Sequence, residues 1–350
     1  MDSVTCKNCR RRSSKNGIVF SGRSKDWSLE LEKKKTEAKM LCQSLRKKFS
    51  SSNGNSQTGG PPHPIITSET PPRGKRAFLC GVTYKKQKCE LKGTAQDVKN
   101  MKDLLVDQFC FPIESILILA EEENYKAPTR KNIEDGFKWL MTGIQSGDSL
   151  VFYFSGHGLR QRDFQGDEID GFDESICPVD FQSSGVILDN YINEAIVRPL
   201  ITDVTLHAIV DCCHSGTILD LPHVYDINTG KWDDNSPPSG AYKGTSGGRA
   251  ICFSACEDYQ QAADTSAFSQ EKEMTGAMTS TFIGAIKAAA GNKEKITYSG
   301  VLDSMHQSLR QAHKSGCIST GLRRVFHRKI LQDPLLSSSE EFCTNTEFKL

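Results

Sequence analysis

The sequence has no apolar run long enough to cross a membrane, and residues 1–5 lack the apolar core of a signal peptide. These absences predict a chain that stays in the cytoplasm or the nucleus and does not bind membranes. Cysteine, by contrast, is abundant, with 13 residues among 350. In a reducing compartment we expect these cysteines to be thiols, ligands or nucleophiles rather than disulfides.

The formal net charge is only +1, but the charge is unevenly distributed. Residues 1–75 carry sixteen Lys and Arg against six Asp and Glu, a net of +10, which leaves about −9 for residues 76–350. We predict a basic prodomain ending in a disordered linker of Ser, Gly and Pro. Nucleic-acid binding is not expected, because aromatic residues such as Trp27 and Phe49 are few among the basic residues. Cys6 and Cys9 are half of a zinc site, and no second Cys-x-x-Cys follows them in the sequence.

Short apolar runs alternate with helical spacing after residue 75. Strands are predicted at 77–82, 115–119, 148–154, 204–210 and 249–254, and helices at 95–109, 132–144, 191–200, 276–290 and 298–313. Residues 221–248 are rich in Gly, Ser, Pro and Asp and are predicted to be a long loop. Strands that alternate with helices predict an α/β fold, with a mostly parallel central sheet flanked by helices on both faces.

Two of the predicted strands end in residues that could perform catalysis. The third runs into Ser-Gly-His157-Gly158, and the fourth into Asp211-Cys-Cys-His-Ser-Gly. Parallel strands bring such ends to one edge of a sheet, where an imidazole could activate a thiol. Taken alone, Gly-His-Gly could be a tight turn, and a cysteine on a strand is often an unreactive residue of the core. The residues do not choose between Cys212 and Cys213, because neighbours on a strand point to opposite faces.

These two motifs resemble the signature motifs of metacaspases, the caspase-like cysteine peptidases of plants, fungi and protists. The N-terminal extension, the linker and the short 221–248 loop are most similar to plant type I members. The resemblance implies a caspase-like sandwich over 76–350, with a large-subunit-like part at 76–220 and a small-subunit-like part at 249–350. It implies Cys213 as nucleophile, His157 as base, and an oxyanion hole formed by the N–H groups of Gly158 and Cys213. It also implies a monomer.

The resemblance further implies that the substrate residue before the cleaved bond is Arg or Lys. The positions that match the acidic specificity pocket are Asp97 and Asp211, with Ser155 beside them. A carboxylate facing a cleft suits a guanidinium group. Without the resemblance, Asp97 would be interpreted as a carboxylate that stabilises a helix N-terminus.

An acidic segment suggests a metal ion. The eight acids between 163 and 189 are Asp163, Asp167, Glu168, Asp170, Asp173, Glu174, Asp180 and Asp189. Such a cluster is either a solvated loop or a site for a hard cation such as Ca²⁺. The resemblance implies Ca²⁺ as an activator, bound at Asp173, Asp189 and Asp220. Asn190 stands at the fourth position, where the family has an aspartate, so a weaker site is expected.

The combined hypothesis is a calcium-activated endopeptidase that cuts protein substrates at exposed Arg or Lys. Self-processing is expected near the 221–248 segment, with Lys231, Lys243 and Arg249 as candidate sites. The alternative is a catalytically silent scaffold that recruits partners through its basic arm. A broken catalytic pair or an obstructed specificity pocket would favour that alternative.

Overall fold

An eight-stranded sheet forms the centre of the protein, in the order β2-β1-β3-β7-β10-β13-β8-β9. The computed structural model describes residues 72–213, 215–255, 264–265, 275–292, 295–314 and 333–350. Its strands are β1 (Lys75–Gly81), β2 (Ile116–Leu119), β3 (Ser149–Ser155), β4 (Gly158–Arg162), β5 (Phe172–Ile176), β6 (Ile187–Leu188), β7 (Thr205–Asp211), β8 (His223–Asp226), β9 (Lys231–Asp234), β10 (Arg249–Ser254), β11 (Asp264–Thr265), β12 (Thr275–Gly276) and β13 (Leu335–Ser338). The five strands from β2 to β10 in this order pair in parallel, and β13, β8 and β9 extend the sheet antiparallel.

Helices cover both faces of this sheet. They are α1 (Thr94–Asp107), α2 (Arg130–Met141), α3 (Phe181–Ser184), α4 (Asp189–Ile192), α5 (Ala277–Gly291) and α6 (Tyr298–Lys314), with a 3₁₀ turn at Ile113–Ser115 and a π-helical turn at Asn193–Val197. One apolar cluster joins α2 and the 187–200 segment to one face. The other joins α1, α5 and α6 to the opposite face. The predicted α/β, caspase-like class with two helical layers is confirmed.

The central strands are apolar at nearly every position because both of their faces are covered. On β1, Phe78 packs in one cluster and its neighbour Leu79 in the other. On β3, Phe152 and Tyr153 divide in the same way. Side chains alternate between the faces of a strand, so continuous apolar runs are needed to fill two cores.

Helix α2 shows how local sequence sets an element that lines the core. Thr129 has an extended backbone, and its side chain accepts a hydrogen bond from the Asn132 N–H, which caps the helix. Ile133 and Phe137, four residues apart, lie on the buried face. Capping and spacing together account for the predicted helix, whose observed start is two residues earlier than the prediction.

Several elements differ from the sequence-based expectations. The 221–248 segment is not only loop, because it contains the β8–β9 hairpin. Strands β4 and β5, which enclose the first four acids of the acidic segment, were not predicted, and neither was β13. β4 is mostly exposed, and β13 is a short strand. The helix expected at 191–200 is observed as α4 followed by the π-helical turn.

The predicted prodomain and linker span residues 1–75, and residues 1–71, which include Cys6 and Cys9, lie outside the described part of the chain. Residues 72–75 are described, and Lys75 already begins β1 instead of ending the linker. Among the helices that the structure describes, none combines the length and apolarity needed to span a bilayer.

Candidate active site

Two strand ends meet at the carboxyl edge of the central sheet. β3 and β7 are parallel neighbours, and Ser155 lies opposite Asp211 at their last paired position. The Gly156 N–H donates a hydrogen bond of 3.2 Å to the Asp211 carbonyl oxygen just beyond that position. Both segments then continue by two residues from the paired position, to His157 and to Cys213. The imidazole and the thiol therefore come from adjacent strand ends on one edge of the sheet, as the prediction requires.

The His157 side chain is oriented by two neighbours. Its Nε2 lies 2.7 Å from the carbonyl oxygen of Cys89. Because a carbonyl oxygen can only accept, Nε2 carries the proton, and Nδ1 of the neutral ring is the acceptor. The Tyr84 ring packs on the imidazole with centroids 4.7 Å apart. The tautomer and the ring position thus leave Nδ1 as the nitrogen that can take a proton.

Tyr84 also fixes the backbone at the active site. Its hydroxyl accepts a hydrogen bond of 2.9 Å from the His157 N–H and donates one of 2.6 Å to the Cys177 carbonyl oxygen. Tyr84 itself has a positive φ of 55°, an uncommon conformation for a bulky residue. The Glu121 carboxylate stabilises this turn by accepting from the backbone N–H groups of Thr83 and Tyr84. Burial raises the pKa of the Tyr84 hydroxyl, so it stays neutral and keeps both roles.

The two adjacent cysteines have different environments. Cys212 is fully buried in the core, whereas Cys213 is partly exposed. The backbone of Gly158 lies directly against them, because a Cβ added there would sit 2.0 Å from the Cys213 carbonyl oxygen and 3.0 Å from the Cys212 sulfur. Only glycine fits at 158 without a shift of the backbone. Of the two cysteines, Cys213 is the one that is accessible from solvent.

Three residues predicted to bind the substrate form one buried group beside this edge. Ser155 donates a hydrogen bond of 3.1 Å to Asp97, and β-pairing places Ser155 opposite Asp211. Asp97 and Asp211 are only 1% and 5% exposed. Burial first, and then these two carboxylates, raise the pKa of the nearby Tyr153 hydroxyl. The structure therefore brings together two acidic side chains in a site of low dielectric constant.

The start of α5 closes over these carboxylates. The Gly276 N–H lies 3.0–3.1 Å from both oxygens of Asp97, and the backbone and hydroxyl of Thr279 donate to Asp211 at 2.8 and 2.7 Å. Helix N-termini commonly bind anionic groups in this way. In this conformation both carboxylates already accept hydrogen bonds from groups of the protein itself.

The four predicted metal ligands lie together in a second acidic cluster. Asp173 is on β5, Asp189 and Asn190 are at the start of α4, and Asp220 follows β7 with a positive φ of 57°. The three aspartates are between 0% and 4% exposed. The Asn190 amide nitrogen lies 3.4 Å from Asp173.

Two further acids, Asp167 and Glu168, belong to this cluster, although the sequence did not identify them as ligands. Glu168, Asp173 and Asp189 have carboxylate oxygens within 4.8 Å of one another, and so do Asp167, Glu168 and Asp220. All of these donors are oxygens, which fits a hard divalent cation such as Ca²⁺.

Lys243 was predicted as a cleavage site, but the structure places its ammonium group inside this cluster. Nζ lies 2.7 Å from Asp167, 3.6 Å from Glu168, and in direct contact with Asp220 and with the Asn190 side-chain oxygen. Burial alone lowers the pKa of Lys243, but the carboxylates, with Asp220 foremost, raise it above its ordinary value. The lysine is therefore a buried cation.

The acids in the cluster are too crowded for all of them to ionise. Burial and then Asp220 raise the pKa of Glu168 to about 10, and burial and then Asp220 raise the pKa of Asp189 to about 9. Burial and then Asp163 raise the pKa of Asp173 to about 6. Glu168 and Asp220 interact through a side-chain hydrogen bond, which requires one proton between the two carboxyl groups. The ammonium group of Lys243 balances only part of the negative charge of the cluster, and bound protons neutralise the remaining carboxylates.

The chain is similar in sequence to proteins of one known family. Residues 75–222 match the model of the metacaspase peptidase C14 domain. The chain is similar to Metacaspase-1 of Arabidopsis thaliana (48% identity over 247 residues, 69% of this chain) and to Metacaspase-3 of the same plant (44% over 278 residues, 77% of this chain). It is also similar to Metacaspase-1A of Neurospora crassa (33% over 308 residues, 76% of this chain). The match spans 66%, 73% and 63% of the lengths of these three relatives.

Proposed function

This chain belongs to the metacaspase family of cysteine peptidases, and from that membership we propose that it cleaves proteins after Arg or Lys through His157 and Cys213. The observation that carries the proposal is the pairing of β3 with β7, which delivers both residues to one edge of the sheet. The orientation of His157 by the Cys89 carbonyl supports it, because that contact leaves Nδ1 to act as the base. The proposed enzyme acts as a monomer on proteins with exposed basic residues.

The proposed reaction passes through an acyl-enzyme. His157 Nδ1 takes the proton from the Cys213 thiol, and the sulfur attacks the carbonyl carbon after the basic residue. The N–H groups of Gly158 and Cys213 stabilise the negative oxygen that forms. The C–N bond then breaks, and His157 gives its proton to the leaving amine. A water molecule hydrolyses the thioester and restores the thiol.

The proposed specificity rests on Asp97 and Asp211. Two buried carboxylates beside the nucleophile attract a cationic side chain and repel an acidic one. Because the N–H groups of Gly276 and Thr279 now hold these acids, a substrate must displace the start of α5. The proposed enzyme therefore rests in a closed form that needs activation.

We propose Ca²⁺ as the activator, bound by Asp173, Asp189, Asp220 and the side-chain oxygen of Asn190. The close approach of oxygen atoms from three separate segments supports a cation at this place. When bound, Ca²⁺ would supply positive charge that fixes the 163–176 segment against α4, next to the active site.

Self-processing is proposed between the two halves of the domain, and the three candidate sites differ in access. Lys231 is exposed at the start of β9. Arg249 begins the central strand β10, where backbone pairing with β7 opposes cleavage. Lys243 is only 6% exposed. Lys231 is thus the accessible candidate in this conformation, and Lys243 becomes one only after its loop is released.

Turnover of paired fluorogenic peptides tests the proposal. Peptides that end in Arg and in Asp, otherwise identical, are incubated with the full chain in Ca²⁺ and in a chelator. We expect turnover of the Arg peptide in Ca²⁺ to exceed that of the Asp peptide by at least about 100-fold, since an unpaired charge in a desolvated pocket costs several kcal/mol. Preference for the Asp peptide would overturn the proposed specificity. Equal turnover of the Arg peptide in Ca²⁺ and in the chelator would overturn the proposed role of calcium.

A further inference from the structure

The burial of Lys243 is the feature of the acidic cluster that the proposed peptidase chemistry does not explain. Lysine is almost never fully buried unless it is paired, because an ammonium ion is strongly hydrated. Lys243 lies in the segment between β9 and β10, yet only 6% of the residue is exposed. Its Nζ reaches four oxygen-bearing side chains, namely Asp167, Glu168, Asn190 and Asp220. These contacts resemble the oxygen shell of a bound cation more than a surface ion pair.

The backbone of Lys243 is held as firmly as its side chain. The Asn193 side-chain N–H donates a hydrogen bond of 3.0 Å to the Lys243 carbonyl oxygen, and Asn193 is 1% exposed. The same amide group donates to the carbonyl oxygens of Leu219 and Asp220. The carbonyl that self-cleavage after Lys243 would attack is therefore already hydrogen-bonded to a buried side chain.

The cluster has more acceptor capacity than one ammonium group can use. Within the described residues, Asp167 Oδ1 and Glu168 Oε1 are buried atoms with no hydrogen-bond partner. The Glu168 side chain is only 7% exposed, and its Oε1 lies 3.6 Å from Nζ, beyond hydrogen-bonding distance. Unsatisfied buried oxygens are costly, and a cation with six to eight oxygen ligands would satisfy them.

We propose that Lys243 is a built-in cation that occupies the calcium site in the resting protein, and that Ca²⁺ binds by displacing its ammonium group. This inference rests on the proposed calcium site. Two cations cannot share the position, because Asp220 and Asn190 contact Nζ directly and are also proposed ligands of the metal. Displacement moves Lys243 into solvent and frees the 235–248 segment, which exposes the Lys243–Gly244 bond.

Competition of this kind lowers the apparent affinity for calcium. The apparent affinity is the intrinsic affinity multiplied by the fraction of molecules in which Lys243 has left the site. Removing the ammonium group while keeping a polar side chain of similar length should therefore strengthen calcium binding. A merely structural lysine would give the opposite result, since its loss would damage the site.

Isothermal titration calorimetry with Ca²⁺ tests the competition. The full chain carries Cys213→Ala throughout, so that self-cleavage cannot change the sample. We expect Lys243→Gln to lower the Kd for Ca²⁺ by at least about tenfold, whereas Lys231→Gln, an exposed lysine of the same region, leaves it unchanged. An unchanged or raised Kd in Lys243→Gln overturns the inference while leaving calcium activation intact. If no variant binds Ca²⁺, both the inference and the proposed calcium site fail.

A second measurement keeps Lys243 intact and does not depend on how the variant folds. The Cys213→Ala chain is briefly acetylated with an amine-reactive ester, and labelling of each lysine is quantified by mass spectrometry. In chelator, we expect Lys243 to react at less than about a tenth of the rate of Lys231. Saturating Ca²⁺ should raise the Lys243 rate at least about tenfold and leave Lys231 unchanged. If Lys243 stays protected in saturating Ca²⁺, it is not displaced and the inference is wrong.

Discussion

At the scale of single residues, position on the strand matters as much as residue type. Cys212 and Cys213 are chemically identical, but one is fully buried and the other is partly exposed. The burial of Cys212 follows from the alternation of side chains along and beyond β7. The two adjacent thiols therefore differ in their access to solvent.

This difference predicts opposite outcomes for two matched substitutions. Cys213→Ala should lower turnover of the Arg peptide by at least about 10³-fold, because the nucleophile is lost. Cys212→Ala removes only a buried sulfur and should keep turnover within about tenfold of the wild type. Sequencing of new N-termini after incubation with Ca²⁺ should show self-processing in Cys212→Ala and none in Cys213→Ala. Equal fragments from both variants would contradict the role of Cys213.

At the scale of elements, close approach between layers fixes some residues. Helix α2 lies so near β1 that a Cβ added at Gly136 would sit 2.4 Å from the Phe78 ring. Helix α5 contains a glycine of the opposite kind, because a Cβ added at Gly284 meets no atom within 4 Å. One glycine is therefore required by packing, and the other only weakens its helix.

The two glycines should respond oppositely to the same change. Gly136→Ala overpacks the α2–β1 contact and should lower the free energy of unfolding by about 1–3 kcal/mol. Gly284→Ala should raise it by up to about 1 kcal/mol, because alanine favours helix and the space is open. Urea denaturation of both variants in the Cys213→Ala chain measures the difference. An unchanged or raised free energy of unfolding in Gly136→Ala would show that the α2–β1 contact has room for a methyl group.

At the scale of the whole molecule, a single mostly parallel sheet carries two cores and two acidic sites. His207, in the middle of β7, is buried and lies 2.8 Å from the Tyr298 hydroxyl, which places it in the layer formed by α6. Burial lowers the pKa of His207 from 6.5 to about 3. The folded protein keeps this imidazole neutral, whereas the unfolded chain protonates it near its ordinary value.

This shift makes stability depend on pH with a defined sign. The unfolded chain binds the extra proton below pH 6.5, so the stability contributed by His207 is complete above that pH. It is then lost as the pH falls toward 3, by up to about 1.4 kcal/mol per pH unit. Urea denaturation at pH 7.5 and 5.5 should show a smaller acid-induced loss for His207→Gln than for the parent chain. Identical losses in the two proteins would contradict the burial of a neutral imidazole.

The sequence alone determined the strands that lie in the middle of the sheet and the two motifs at their ends. These signals are local, since a strand covered on both faces must be apolar throughout and its end must turn through small residues. From them the α/β class and the place of His157 could be predicted. The short strand β13 and the β8–β9 hairpin could not, because pairing with distant strands stabilises them more than their own pattern does.

Only the tertiary structure decided how side chains from distant segments meet. It gave the imidazole a carbonyl partner at Cys89 and an aromatic neighbour at Tyr84, neither of which any spacing in the sequence indicated. Lys243 was expected in an exposed loop, but in the structure its ammonium group contacts Asp167, Asp220 and Asn190, which come from three other segments. Such contacts join residues tens of positions apart, and a one-dimensional pattern holds no information about which loop folds back over which strand end.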